Sequence, residues 1–99
     1  MRVVLIEVTA AHYRRNPLSQ MARVLEPLAI EYIGAYLEQY GHEVTLIHQL
    51  DDGNEEVVEK IASIGPAMVG ISCMTYSFPD AQTIALAVKQ ALPETATVL

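Results

Sequence analysis

The sequence predicts an α/β domain, an open parallel sheet with helices on both faces. Three observations predict it. Short β-branched runs alternate with segments of helical apolar spacing, the pattern of strand–helix–strand units joined by right-handed crossovers. The first run, Val3 to Val8, is apolar almost throughout, as a strand covered on both faces must be. Small and hydroxylated residues gather just past the third run, at Ser72, Thr75, Tyr76 and Ser77. In open parallel sheets, ligands sit beyond the carboxyl ends of the strands, so these four residues stand where a ligand would be held.

Each element follows in order. After the first strand, a polar stretch rich in hydroxyl, His, Arg and Asn residues runs from Thr9 to Glu26. At about eighteen residues it is long for a compact domain, and such loops are usually functional or disordered. Pro27 suits the first turn of a helix, where its missing N–H is not needed. Leu28, Ile30, Ile33 and Leu37 then supply an apolar stripe, and Gly41 ends the helix. Gly34 inside that helix costs about 1 kcal/mol relative to alanine, which predicts close packing on the sheet.

Val44 to Ile47 is the second strand. Asp52 or Asn54 is expected to cap the next helix, with Val57, Val58, Ile61 and Ile64 inward and Gly65-Pro66 as the stop. Ala67 to Ser72 is the third strand. Pro79-Asp80 opens a third helix, which carries Ile84, Ala85, Val88 and Leu92 inward until Pro93, and Thr95 to Leu99 starts a fourth strand. Doubly wound domains of this kind usually carry about five strands. The expectation is one partial domain over residues 1–99, incomplete at its C-terminus and part of a longer protein. Its fourth strand would be an unsatisfied edge open to self-association.

Composition narrows the function. With 99 residues and 52% apolar content the chain can fill one small core. A net charge of -6 argues against a nucleic acid partner. Four of the six basic residues (Arg2, Arg14, Arg15, Arg23) lie in the first quarter, while Asp51, Asp52, Glu55, Glu56 and Glu59 cluster mid-chain as a solvated helix start. A single cysteine, Cys73, excludes a disulfide framework or a Cys-rich metal site and is expected to be a buried, inert thiol. No apolar run approaches the ~20 residues of a membrane span. The start lacks a clean cleavage site for a signal peptide, so no membrane association and a cytoplasmic location are expected.

With these segments in hand, the chain resembles the N-terminal cobalamin-binding domain of cobalamin-dependent radical S-adenosylmethionine enzymes, such as methyltransferases and the anaerobic Mg-protoporphyrin monomethyl ester cyclase. Three segments carry the resemblance across nearly the whole chain. They are the Val-Val-Leu-Ile strand with its long polar loop; Pro27-Leu-Ala-Ile-Glu-Tyr-Ile-Gly-Ala-Tyr-Leu37 followed by Gly41-His-Glu-Val44; and Pro66-Ala-Met-Val-Gly-Ile-Ser72 with Met74-Thr75 and a Pro-Asp-Ala helix start. Their order and spacing are more specific than any one of them. The resemblance implies a flavodoxin-like fold of the cobalamin-binding type, with cobalamin as cofactor. It also implies a downstream radical S-adenosylmethionine domain of the same parent chain, carrying a 4Fe-4S cluster and S-adenosylmethionine.

Two departures qualify it. Methionine synthase and the mutases carry Asp-x-His-x-x-Gly after the first strand, and its His ligates cobalt. Around His12 this chain has Ala10 at the Asp position and Arg15 at the Gly position. An imidazole without that carboxylate lacks the partner that orients and polarises it, so the motif is absent. The Cys-x-x-x-Cys-x-x-Cys cluster is missing as well, so this chain alone cannot perform the radical chemistry.

On this reading Thr9, His12 and Tyr13 line the mouth of the site opposite Ser72, Thr75, Tyr76 and Ser77. Alternatively, Thr9 to Tyr13 is an ordinary surface loop, Ser77 a helix cap, and Arg14, Arg15 and Arg23 solvated charge rather than contacts to a phosphate. Tyr32, Tyr36 and Tyr40, at helical spacing, read as a packing stripe or a docking face rather than a cofactor box. His42 and His48 have no convergent partners. A phospho-receiver fails because Val8-Thr9 and Cys73-Met74 stand where its carboxylates belong. A flavodoxin-like domain binding another nucleotide-type ligand, or a non-catalytic interaction domain, stays open. Ala10-Ala11-His12-Tyr13 offers no compact phosphate cradle, which disfavours the former. A self-contained enzyme is least favoured, because there is no nucleophile–base pair and no set of convergent carboxylates.

Overall fold

The computed structural model describes residues 1–9, 28–49 and 52–99. Pro27 and most of the polar stretch therefore lie outside the described residues. The elements are β1 (Arg2–Glu7), α1 (Leu28–Gln39), β2 (Glu43–His48), α2 (Asn54–Ile64), β3 (Met68–Ser72), a 3₁₀ turn (Thr75–Ser77), α3 (Phe78–Ala91) and β4 (Ala96–Val98). All strand pairs are parallel, in the order β2-β1-β3-β4. This is the doubly wound α/β architecture expected, of flavodoxin-like order.

Alternation along β1 assigns the two faces. Val4, Ile6 and Val8 pack with Val69 and Ile71 against Val57 and Ile61 of α2 and Ala81, Ile84 and Val88 of α3. Val3 and Leu5 point the other way, to Ile30 and Leu37 of α1. Burying each such Val, Leu or Ile contributes about 1.5–3 kcal/mol, so the α2–α3 side holds most of the core. No helix among the described residues is long and apolar enough to cross a membrane.

Several local expectations need correction. The buried line of α1 runs through Ile30 and Gly34 with Leu37 partly buried, whereas Leu28 and Ile33 are 67% and 51% exposed. The cause is Gly34. A Cβ there would meet Leu46 Cδ2 at 3.1 Å and Val44 Cγ1 at 3.3 Å, so the helix backbone itself lies on the sheet and turns its neighbours outward. Gly53, not Asp52 or Asn54, is the N-cap of α2, without a side-chain cap bond. The Asn54 side chain is engaged elsewhere. Gly65 ends α2 as expected, in the left-handed conformation (φ 63°), its N–H donating to Ile61 O.

Candidate functional site

From β1 the chain winds to β2 on one side and to β3 and β4 on the other. The crossover helices consequently lie on opposite faces, α1 on one and α2 and α3 on the other. The strand order thus reverses at β1 and β3, and the space beyond the carboxyl ends of two such strands is the usual ligand position in these sheets. The two exits are tied together, since Val8 N donates to Ser72 O at 3.0 Å. On the β1 side, Thr9 N donates to Gln49 Oε1 at 3.1 Å. On the β3 side, Ser72 and Cys73 are half-buried, and Met74, Thr75 and Tyr76 are exposed.

Ser77 behaves differently from its neighbours. It is fully buried; its hydroxyl accepts from Met74 N at 2.9 Å and donates to Met74 O at 3.2 Å. With Ser77 N also bonded to Met74 O at 3.0 Å, the side chain closes the turn that presents Met74, Thr75 and Tyr76. Of the residues singled out from the sequence, Thr9, Ser72, Thr75 and Tyr76 are thus gathered at one edge, and Ser77 shapes the turn from beneath. His12 and Tyr13 lie outside the described residues, as do Arg14, Arg15 and Arg23. Cys73, expected to be buried, is half-buried at the β3 exit.

Sequence reading missed Gln49. It follows β2 directly, is 0% exposed, and bonds through its side chain to Thr9, Asp52 and Asn54. The only signal was a polar residue at a strand exit. Nothing in the one-dimensional pattern marks a partner 40 positions away. Met74 and Phe78, 59% and 46% exposed, add apolar surface to the same edge.

Elsewhere, Tyr32, Tyr36 and Tyr40 are 84%, 59% and 66% exposed, so they are not a packing stripe for this sheet. The Tyr36 and Tyr40 rings meet at a tilt of 47°, with centroids 5.1 Å apart. The Tyr36 hydroxyl donates to Tyr40, which holds its pKa above the usual phenol range. Beside α2, Lys60 donates to Asp52, keeping the Asp52 carboxyl below its ordinary range and the Lys60 ammonium above its own. His42 is at the opposite end of the sheet, 3.3 Å from the Met1 amine. Among the described residues no group of three or more His, Cys, Asp or Glu side chains is placed to hold a metal ion.

Compared with known families, residues 18–99 match the model of the B12 binding domain. No curated protein and no solved structure matches the chain.

Proposed function

The chain belongs to the B12-binding domain family, and on that premise we propose that it holds cobalamin at the carboxyl edge of its sheet, between the exits of β1 and β3. The observation that carries this reading is the strand order β2-β1-β3-β4, with its reversal at β1 and β3. The residues there fit the group. A corrin is broad and apolar-faced, with amides at its rim. The β3 exit offers Met74 and Tyr76 as apolar surface, beside the hydroxyls of Thr75 and Ser72. Met74 and Tyr76 would pack on the cofactor; Ser72 and Thr75 would hydrogen-bond its amide or phosphate groups, next to Thr9. When bound, cobalamin supplies a cobalt centre able to carry a methyl group or to change redox state.

Titration with hydroxocobalamin, followed in the visible spectrum, tests this. A saturable shift to the base-off spectrum is expected. No cobalamin retained in equilibrium dialysis by a chain folded by circular dichroism overturns the reading and favours a non-catalytic interaction domain.

The finer part of the proposal is a cytoplasmic radical S-adenosylmethionine parent, in which this module serves methyl transfer or related radical chemistry. Its support is the order of the segments ending at Leu37, Val44 and Thr75. The downstream domain would bring the 4Fe-4S cluster and S-adenosylmethionine. Sequencing the gene past Leu99 decides it. A Cys-x-x-x-Cys-x-x-Cys motif in the same frame is expected, and a frame that closes without one overturns the parent while leaving cobalamin binding intact.

A further inference from the structure

Behind the carboxyl edge runs a chain of hydrogen bonds that begins at Asp80, in the first turn of α3. Asp80 Oδ1 accepts from Asn54 Nδ2 at 3.0 Å. An ionised carboxylate only accepts, so Asn54 must turn its nitrogen to Asp80 and its oxygen away. That oxygen accepts from Gln49 Nε2 at 2.9 Å, and the second proton of the same nitrogen goes to Asp52 O at 3.1 Å. With both protons used, Gln49 presents its oxygen to the amide of Thr9, 3.1 Å away. Each amide is oriented by the one before it, so the relay runs in a single sense.

Burial makes the arrangement exacting. Gln49 is 0% exposed, and a buried amide is tolerated only when its polar atoms are bonded. The relay joins the start of α3, the start of α2 and the exit of β2 to the exit of β1. Because Val8 N is bonded to Ser72 O at 3.0 Å, the residue it secures stands directly beside the β3 exit. Gln49 N also donates to Glu7 O at 3.0 Å, so one residue grips the β1 exit through both backbone and side chain.

We infer that Gln49 is a positioning residue for the cofactor edge, fixing the Thr9 amide, and with it the exit of β1, against β3 through the Asp80–Asn54–Gln49 relay. The inference rests on the cobalamin reading of that edge.

The test measures Thr9 amide exchange by NMR and hydroxocobalamin affinity in the wild-type chain and in Gln49→Met, Asp80→Ala, Asp80→Asn and Asp80→Leu. Gln49→Met keeps the side chain's length and removes its polar atoms. It is expected to speed Thr9 exchange at least tenfold and to weaken hydroxocobalamin binding at least tenfold. Asp80→Ala is expected to act in the same direction. Asp80→Asn is expected to retain both properties, because its amide oxygen still accepts from Asn54. Asp80→Leu, which fills similar space without an acceptor, is expected to behave like Asp80→Ala, and rescue by Leu would mean that packing alone is at work. If Gln49→Met does not fold, the Asp80 variants decide. Unchanged Thr9 exchange in a folded Gln49→Met, or Asp80→Ala behaving like Asp80→Asn, overturns the inference. Wild-type affinity in a variant whose Thr9 exchange has accelerated overturns the role at the cofactor edge. No binding by the wild-type chain overturns the cobalamin reading itself, while the exchange arm still reports whether the relay holds Thr9.

Discussion

At the scale of single residues, the two glycines that touch the sheet differ in what surrounds them. A Cβ on Gly70 would lie 2.8 Å from Leu5 Cδ2, and Leu5 is only 5% exposed. Gly70→Ala should therefore force Leu5 off its position and cost about 1–3 kcal/mol, as overpacking of a filled core does. Shortening the neighbour in Leu5→Val/Gly70→Ala should make the pair less destabilising than the sum of the single changes. Urea unfolding of the four proteins in this cycle checks it; strict additivity would show that the two side chains do not compete for the space. Gly34 was readable in advance, because a glycine inside a helix pattern demands a reason. Gly70 was not: in Val-Gly-Ile-Ser it reads as one more strand residue until β1 is laid across it. Gln49 was hidden for the same reason, its partners being Thr9, Asn54 and, through Asn54, Asp80.

Among the elements, α2 shows how much of a helix periodicity reveals. Of the expected inward face Val57, Val58, Ile61 and Ile64, Val57 and Ile61 are fully buried and Val58 and Ile64 partly so; the stop at Gly65 is equally plain. Its start was misread, because capping propensity cannot register that Asn54 is committed to Gln49 and Asp80. Instead the approach to α2 is pinned by Lys60 on Asp52. The Asp52 carboxyl is depressed below its unfolded value of about 3.9, so its contribution is present above that pH and is lost as pH falls through the folded pKa. Lys60 is raised above about 10.4, so its contribution is present below that pH and is lost as pH rises through the folded pKa. The pair thus ties the start of α2 from about pH 4 to about pH 10, weakly, since both side chains meet solvent. An NMR titration of Asp52 should give a midpoint below the ordinary carboxylate range, and Lys60→Met should move it up. An unmoved midpoint would mean that Lys60 does not hold the carboxyl.

For the molecule as a whole, the alternation of strands and helices made the fold legible, and the fold in turn selects the β1–β3 edge without help from any motif. The same alternation leads one to expect the fourth strand as an unsatisfied edge; what it could not supply was the guarding of the other edge, β2. Among the described residues β2 and β4 are the two edges. β2 begins at Glu43, which carries an ion pair with Arg2, and α1 lies against it. β4 is three uncharged residues, and Val98, on the same side of the sheet as Gly70 and Leu5 by register, is 53% exposed. Among the described residues β4 is paired on one side only, and an edge without charge or proline is the arrangement that invites another strand. We propose that this chain self-associates through β4. The net charge of -6 opposes it, and salt screens that repulsion, over about 10 Å at 0.1 M and less as salt rises. Size-exclusion chromatography across a range of concentrations should therefore show apparent mass rising with concentration, more steeply at high salt. Val98→Lys should restore the monomer by placing a charge on the edge. A monomer at every concentration and salt would sink the proposal and leave the edge of β4 satisfied by solvent alone.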